Sequence, residues 1–338
     1  MADLATRWLG ISLANPLIVG ASRLTADMGV IRKIQDAGAG AIVTASLFEE
    51  QITLQNDLLE DFAMDYDSRE QPEISFSPGR AYAGPEEHLE WLVRARKAVS
   101  IPMFASLNAD THEIWRNWAE RLAGTGVDGL ELNLYSTPVD PSVAGNAIED
   151  DQVAIVKDVC RTVAPLPVAV KMSAFSANPL NLASRMAKAG ARGVVFFNRF
   201  FQPDLDAATE ESVFTFDLST GMENRLPLRF TALASGRIGA DICASTGIAS
   251  GFDIAKMILA GATAVQVVSA IYRKKISAIG AMKKELQQWM DMAGYATVAD
   301  ALGRRDALHN TDPHAWKRAQ YVRILMGARA SVGQYPLL

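Results

Sequence analysis

Short apolar runs alternate along the chain with longer segments of helical periodicity. Segments with apolar residues three and four positions apart include 86–98, 114–123, 151–163 and 180–189, as expected of helices covering a core on one face. The apolar runs are bounded by Gly, Pro or Asn and predict strands buried on both faces. The eight runs are Pro16–Val19, Ala41–Thr44, Pro102–Ser106, Gly129–Leu132, Val168–Lys171, Gly193–Phe197, Ile242–Ala244 and Ala264–Val268. This alternation predicts an α/β fold, specifically a (β/α)₈ TIM barrel.

Small-residue junctions recur where a predicted helix ends and the next strand begins. They lie at 37–40, 124–129, 189–193 and 260–263, and they are the nearest feature to an internal repeat. The length of 338 residues suits a barrel of roughly 250 residues with insertions, although length alone leaves two smaller domains open. The repeated junctions favour one barrel domain over residues 1–338.

Three segments interrupt the alternation. Residues 48–84 and 198–237 follow the second and sixth strands, so we expect these insertions on the carboxyl-terminal face of the barrel, above a site. Alternation over Val213–Leu218 predicts a hairpin with Thr220 and Gly221 near its turn. Residues 276–338 are predicted to form a helical extension outside the barrel.

Composition narrows the possible partners. The formal net charge of −5 gives no electrostatic reason to expect nucleic acid or an anionic membrane. The two cysteines, Cys160 and Cys243, have no C-x-x-C spacing, so we expect no metal site, iron–sulfur cluster or disulfide framework. No apolar signal core opens the chain, and no segment reaches the roughly 18 apolar residues of a membrane span. The sequence therefore predicts a cytoplasmic protein.

Small residues near the C-terminal end form a phosphate-binding pattern. Thr246–Gly251 ends one apolar strand, a helical run follows, and Gly261–Ser269 ends the next strand. A (β/α)₈ barrel commonly holds a phosphate with main-chain N–H groups after its seventh and eighth strands. Glycine permits close approach of the phosphate because it lacks a Cβ. The pattern predicts a phosphate-bearing cofactor.

Polar residues at the strand ends indicate what that cofactor is. Asn108, Asn133, Asn198 and Lys171 converge there with small hydroxyl residues, whereas histidine and paired carboxylates are missing from these positions. This set argues against metal-dependent hydrolysis, glycosidase chemistry and a Ser-His-Asp triad. Amides match the edge of a heterocycle, and a lysine favours a heterocycle that becomes anionic on reduction. FMN fits both features and the phosphate pattern.

Several motifs resemble the dihydroorotate dehydrogenase family, in particular its soluble, FMN-dependent branch. They are Asn15-Pro16-Leu17, Glu131-Leu132-Asn133, Val170-Lys171 and the phosphate region 246–270, and the resemblance covers about residues 5–285. It implies an FMN-dependent oxidoreductase that oxidises a CH–CH group of dihydroorotate, or of a related small cyclic substrate, by hydride transfer to flavin N5. It also implies a homodimer and a part in pyrimidine biosynthesis, but it leaves the electron acceptor open.

The resemblance also assigns roles to individual positions. Ser136 occupies the place of the catalytic base, Lys171 lies near flavin N1 and O2, and Asn133, Asn198 and Arg199 are the candidate substrate-binding residues. The residues expected to bind the cofactor are Ala21, Ser22, Ser46, Asn108, Asn133, Lys171, Asn198, Gly247, Gly251 and Ser269.

Four positions depart from the family pattern. Ala45 replaces a lysine that contacts flavin and substrate, Pro138 replaces an orotate-binding Asn, and Arg199 follows Asn198 where Thr or Ser is usual. Thr246 replaces the first glycine of the phosphate loop. The family residues that bind the cofactor are thus largely retained, whereas those that bind the substrate are largely changed. Two alternatives stay open: a non-redox barrel acting on a phosphorylated metabolite, with Lys171 as a Schiff-base lysine, and a flavin-binding subunit that has lost catalysis.

Overall fold

The structure of the protein is a computed structural model that describes residues 1–54, 84–135, 137–312 and 314–326. An antiparallel hairpin of β1 (Thr6–Trp8) and β2 (Ile11–Leu13) precedes a closed barrel of eight parallel strands. The barrel strands are β3 (Leu17–Val19), β4 (Ala41–Val43), β6 (Met103–Asn108), β7 (Gly129–Asn133), β8 (Val168–Lys171), β9 (Gly193–Phe196), β12 (Asp241–Ser245) and β13 (Ala264–Val267). A two-residue strand, β5 (Leu47–Phe48), pairs with the end of β6. β3 pairs with both β13 and β4, and the pairing of β4 with β6 closes the barrel.

Helices on the outside connect and cover these strands. They are α1 (Met28–Asp36), α2 (Pro85–Ala98), α3 (His112–Ala123), α4 (Gly145–Thr162), α5 (Pro179–Lys188), α6 (Arg225–Ala234), α7 (Gly251–Ala260) and α8 (Ser269–Lys274). Side chains that accept a hydrogen bond from the first turn begin several of them, for example Asp27 at α1 and Ser250 at α7. Their apolar faces pack on the outward side chains of the strands in one large core. The predicted (β/α)₈ barrel is confirmed.

The amino-terminal hairpin fills the bottom of the barrel. Trp8 is 1% exposed and packs with Leu9 and Leu13 against interior residues of the strands. A Cβ on Gly193, at the start of β9, would lie only 2.6 Å from the Trp8 ring and 2.5 Å from Leu9. Glycine at this position therefore makes room for the hairpin, which closes this end of the barrel.

The segment after β9 carries a hairpin on the carboxyl-terminal face. Its strands are β10 (Pro203–Leu205) and β11 (Ser212–Phe214), so the predicted turn at Thr220 and Gly221 is wrong. Asp206 forms the turn instead, since its carboxylate accepts the N–H of Ala208 at 2.8 Å. Thr220 and Gly221 begin a 3₁₀ turn because the Glu223 carboxylate accepts the N–H of Thr220.

The other two predicted segments are described in part. Of the insertion at 48–84, residues 55–83 lie outside the described residues. The extension after residue 276 contains α9 (Ser277–Ala293), α10 (Val298–Ala301) and α11 (Ala319–Met326), and α9 packs along α7 outside the barrel. Among the described helices, none combines the length and apolar character that crossing a bilayer requires.

The hairpin at the bottom of the barrel generates a stability prediction. Trp8→Ala removes a fully buried ring and leaves a cavity, so we expect a loss of about 3–5 kcal/mol in the free energy of unfolding, measured by urea denaturation. Phe214→Ala is the matched control because that ring is 83% exposed on β11, and its effect should stay within about 0.5 kcal/mol. Equal effects of the two substitutions would contradict the packing described here.

Candidate functional site

Two adjoining cavities open at the carboxyl ends of the barrel strands. Their volumes are about 940 Å³ and about 760 Å³. The lining residues common to both are Ala21, Ser22, Arg23, Phe48, Lys171, Asn198, Arg199 and Phe201. The first cavity continues towards Ser46, Asn133 and Tyr135, and the second towards Gly247 and Ser269. The site is therefore one elongated space with Lys171 at its middle.

A buried polar layer forms the floor of this space. Lys171 is 7% exposed, and its Nζ donates to Gln266 Oε1 at 2.8 Å and lies 3.7 Å from Glu131 Oε1. The amide nitrogen of Gln266 donates in turn to the other oxygen of Glu131. These side chains come from β8, β13 and β7, so the layer spans the barrel interior above its apolar core. The anionic partner that a buried lysine requires is present.

The amide residues on the rim bind one another. The side-chain nitrogen of Asn108 donates to the backbone oxygens of Asn133 at 2.7 Å and of Tyr135 at 3.0 Å. Asn198 donates its amide N–H to the side-chain oxygen of Asn133. Asn108 therefore fixes the loop after β7, while Asn133 and Asn198 both line the first cavity, and the hydrogen bond between them uses the Asn133 oxygen and the Asn198 nitrogen. The rim thus offers a ligand one amide donor and one amide acceptor.

The loop after β7 includes the predicted base. Ser136 lies outside the described residues, so its predicted role stays a prediction. Its neighbour Tyr135 packs against Phe200, with ring centroids 4.6 Å apart, and Phe200 meets Phe175 edge-on at 4.8 Å. Pro138, in the place of an orotate-binding Asn, is exposed. Aromatic rings therefore flank this side of the mouth.

Arg199 lies beside the rim and is held in an ion pair. Its Nε is 3.2 Å from Glu223 Oε1, and its guanidinium lies 5.4 Å from the centre of the Phe201 ring. Partial burial acts to raise the pKa of Glu223, but hydrogen bonds from Thr220 and Arg199 outweigh it and lower that pKa. The pair keeps Arg199 at the cavity wall with its remaining donors available to an anionic ligand.

Hydroxyl and backbone groups meet at the far end of the second cavity. Ser269 Oγ accepts from Ser219 N–H at 3.0 Å and lies 2.9 Å from Ser219 Oγ, which accepts from Gly247 N–H at 3.2 Å. The backbone oxygen of Ser219 is bound in turn by Arg273. Ser219 is thus a member of this cluster that the sequence patterns did not single out.

The two predicted phosphate-loop glycines are placed differently. Gly247 has φ +73° and lines the cavity, but a Cβ there would lie 2.5 Å from Asn224 N, so close backbone approach requires the glycine even without a ligand. Gly251 begins α7 and packs on α9: its N–H donates to Glu285 at 2.7 Å, and a Cβ would lie 2.4 Å from Met282 O. Because that N–H is already bound away from the cavities, we leave Gly251 out of the proposed site.

Of the remaining predicted residues, most lie together. Ala21, Ser22 and Ser46 line the first cavity, and Ser46 Oγ lies 2.7 Å from Ser106 Oγ. Sequence reasoning missed Glu131, Gln266, Ser219 and Glu223 as members of the site. The sequence does contain a signal for Glu131 and Gln266, because each is a polar residue in the middle of an apolar strand. Across the described residues, no three His, Cys, Asp or Glu side chains are grouped to hold a metal ion.

The fold and the site together define the class of protein. It is a (β/α)₈ barrel with an elongated polar mouth, a buried lysine on its floor and a hydroxyl cluster at one end. The family model for dihydroorotate dehydrogenase matches residues 77–290, well over half of the chain. The chain therefore belongs to the dihydroorotate dehydrogenase family and is an oxidoreductase of that family.

Individual relatives agree with this assignment. Dihydroorotate dehydrogenase B (NAD(+)), catalytic subunit, of Thermoplasma acidophilum is 26% identical over 310 residues, covering 90% of this chain and 99% of the relative. A protein named putative dihydroorotate dehydrogenase A (fumarate), of Aeropyrum pernix, is 28% identical and covers 67% of this chain and 74% of the relative. Dihydroorotate dehydrogenase B (NAD(+)), catalytic subunit, of Pyrococcus furiosus is 24% identical and covers 87% of this chain and 96% of the relative.

A histidine in the first cavity generates a pH prediction. Burial lowers the pKa of His88 from 6.5 to about 4. The unfolded chain therefore binds more protons than the folded one between those values, and stability present at neutral pH is lost as pH falls through that window. From pH 7.5 to 5 we expect His88 to account for about 2 kcal/mol of lost stability.

Urea denaturation at both pH values measures this contribution. His88→Gln should reduce the difference between the two free energies of unfolding, because the titrating group is gone. His314→Gln is the control, since His314 is exposed. If His88→Gln leaves the pH dependence of the wild type intact, the buried neutral histidine is ruled out.

Proposed function

We propose that the chain is an FMN-dependent oxidoreductase that oxidises a CH–CH group of dihydroorotate or a related small cyclic substrate. The observation that carries the proposal is the continuity of the site: a buried lysine at the centre of an elongated cavity that ends in a hydroxyl and N–H cluster. A ligand made of a planar heterocycle joined to a phosphate by a flexible chain would match this site, with the heterocycle beside the lysine and the phosphate at the cluster. Family membership supports the same cofactor, because dihydroorotate dehydrogenases are generally FMN-dependent flavoproteins.

The residues present fit FMN. Ser219, Gly247 and Ser269 bring two hydroxyls and two backbone N–H groups together at the barrel position where phosphates commonly bind. A phosphate would take up hydrogen bonds that these groups now make to one another. Ala21 and Ser22 line the portion that the two cavities share, and Ser46 lines the first cavity, where small side chains leave room for a ring system. When bound, FMN supplies an acceptor for a hydride at its N5. The rest of the chemistry depends on side chains of this chain.

Lys171 stabilises negative charge next to the ring. Its ammonium group is only 7% exposed, and in such a poorly hydrated place a fixed positive charge acts more strongly than in water. The amides of Asn133 and Asn198 orient the substrate through one donor and one acceptor, and Arg199 binds an anionic group of the substrate. We assign removal of the substrate proton to the loop after β7, with Ser136 as the candidate base. A serine in this role requires a proton relay.

The changes at the family's substrate-binding positions support a substrate that is related to dihydroorotate but bound differently. Ala45, where the family has a lysine, lines the first cavity and contributes no charge. Arg199, in the portion that the two cavities share, supplies a cation instead. We infer that the anionic group of the substrate lies towards Arg199. The word "subunit" in the names of several relatives supports a further proposal, that a second chain receives the electrons.

A visible absorption spectrum tests the proposal directly. Purified protein incubated with FMN and passed through a desalting column should keep a flavin spectrum at about one equivalent per chain. Anaerobic addition of dihydroorotate, or of a panel of related dihydropyrimidines, should then bleach it. Protein that stays colourless after incubation contradicts FMN use. Protein that keeps its flavin and is reduced by none of the substrates supports the alternative of a flavin-binding subunit.

The role of Lys171 is tested by Lys171→Met, which removes the charge and keeps most of the volume. Loss of one charge-stabilising group in a catalytic site typically costs about 10²–10³-fold in rate, so we expect flavin reduction by substrate to slow by that order. Stopped-flow absorbance measures the rate. Lys188→Met is the control because Lys188 is exposed at the end of α5. Equal reduction rates for both variants would show that Lys171 has no such role.

A further inference from the structure

Glu131 lies in the floor of the site, where none of the roles proposed above requires a carboxylate. It is 2% exposed and projects from β7, the fourth barrel strand. Its bonding partner Gln266 projects from β13, the eighth strand, so the two reach each other across the barrel interior. We refer to Glu131, Gln266 and Lys171 together as the floor triad.

The two charges of the floor triad fix the orientation of the amide between them. The Gln266 oxygen accepts from Lys171 and its nitrogen donates to Glu131. The flipped amide would present N–H groups to an ammonium and an oxygen to a carboxylate, and both contacts would be repulsive. Gln266 is therefore a relay with one allowed orientation. Through it, Glu131 determines where the acceptor for Lys171 lies.

Glu131 is not satisfied as a structural residue. Its Oε1 is buried and has no hydrogen-bond partner within the described parts of the chain, and it lies 3.7 Å from Lys171 Nζ, beyond hydrogen-bond distance. A buried carboxylate oxygen without a partner destabilises the fold, and buried ion pairs contribute little net stability. The structural role left to Glu131 is to compensate the charge of Lys171, 3.7 Å away. Its place in the floor of the cavity is therefore tied to that ammonium.

The backbone makes room for the relay. A Cβ on Gly20, directly after β3, would lie 3.2 Å from Gln266 Oε1 and 3.0 Å from Val268. Any larger residue at position 20 would press on the atom that accepts from Lys171. The chain thus keeps space for the Gln266 side chain at the point where it meets the ammonium.

We propose that Glu131 is a positioning residue that tunes Lys171: through Gln266 it directs the ammonium towards the cavity, and by its own charge it limits how far that ammonium favours the reduced cofactor. This inference rests on the proposed use of FMN. Glu131 acts on the balance between oxidised and reduced flavin, because a negative charge near the ring opposes the charge that develops on reduction. It neither touches substrate nor transfers a proton.

Two substitutions separate the two effects. Glu131→Gln removes the charge and keeps the shape, so Lys171 acts uncompensated and the equilibrium should shift at least tenfold towards reduced flavin. For a two-electron couple this is a midpoint potential about 30 mV more positive. Gln266→Leu keeps both charges and removes the relay, so the ammonium should turn to Glu131 directly. The potential should then shift the opposite way.

Redox titration of the FMN-loaded protein with a reference dye measures these potentials without turnover. Asp241→Asn is the matched control: this carboxylate is at the bottom of the barrel, where it accepts the N–H of Leu9 at 2.8 Å, and its loss should leave the potential unchanged. Gly20→Ala, which keeps all three side chains but displaces the relay, should shift the potential in the direction of Gln266→Leu and replaces Gln266→Leu if that variant does not fold.

The outcomes are distinguishable. Opposite shifts for Glu131→Gln and Gln266→Leu support the proposal. Shifts of the same sign, or none beyond that of Asp241→Asn, overturn it and leave the use of FMN standing. A wild-type protein that binds no FMN overturns the proposed function and this inference together.

Discussion

The cost of burying one ammonium group governs the organisation of the site. A lysine removed from water requires a negative partner and hydrogen-bond acceptors. Here they are Glu131 and Gln266, which reach Lys171 from two other strands. Because the three side chains come from β7, β8 and β13, only a closed barrel brings them together. The charge is thus fixed in place before any ligand binds, and this preorganisation makes it useful next to a ring that gains electrons.

The rest of the mouth is arranged around that layer. The hairpin containing Trp8 closes the bottom of the barrel, so ligands enter at the carboxyl ends of the strands. Hydrogen bonds among Asn108, Asn133 and Asn198 hold the loop after β7. The cluster of Ser219, Gly247 and Ser269 lies at the other end of the elongated space. The Glu223 carboxylate connects two parts of this space, since it binds Arg199 in the portion that the two cavities share and Thr220 next to the cluster.

The strands and helices could be predicted from the sequence because the barrel is parallel and buried on both faces, which leaves uninterrupted apolar runs such as Val168–Lys171. The hairpin turn was misplaced because Thr220 and Gly221 also suit the start of a 3₁₀ turn, and only the position of Glu223 decides between them. The contact of Gly251 with α9 could not be predicted because its partner Glu285 is 34 positions away, and its predicted role in binding the cofactor stays a prediction. Polar residues within apolar strands mark Glu131 and Gln266 in the sequence, but their pairing depends on a contact across the barrel between residues 135 positions apart.

We propose that a flavin lies along the mouth with its phosphate among Ser219, Gly247 and Ser269 and its ring edge beside Lys171. A crystal structure of the protein grown with FMN tests this arrangement. We expect continuous electron density in that orientation, with Lys171 Nζ within hydrogen-bond distance of the ring and still bound to Gln266. Density that leaves the mouth empty, or a Lys171 side chain turned outwards into solvent, would contradict it.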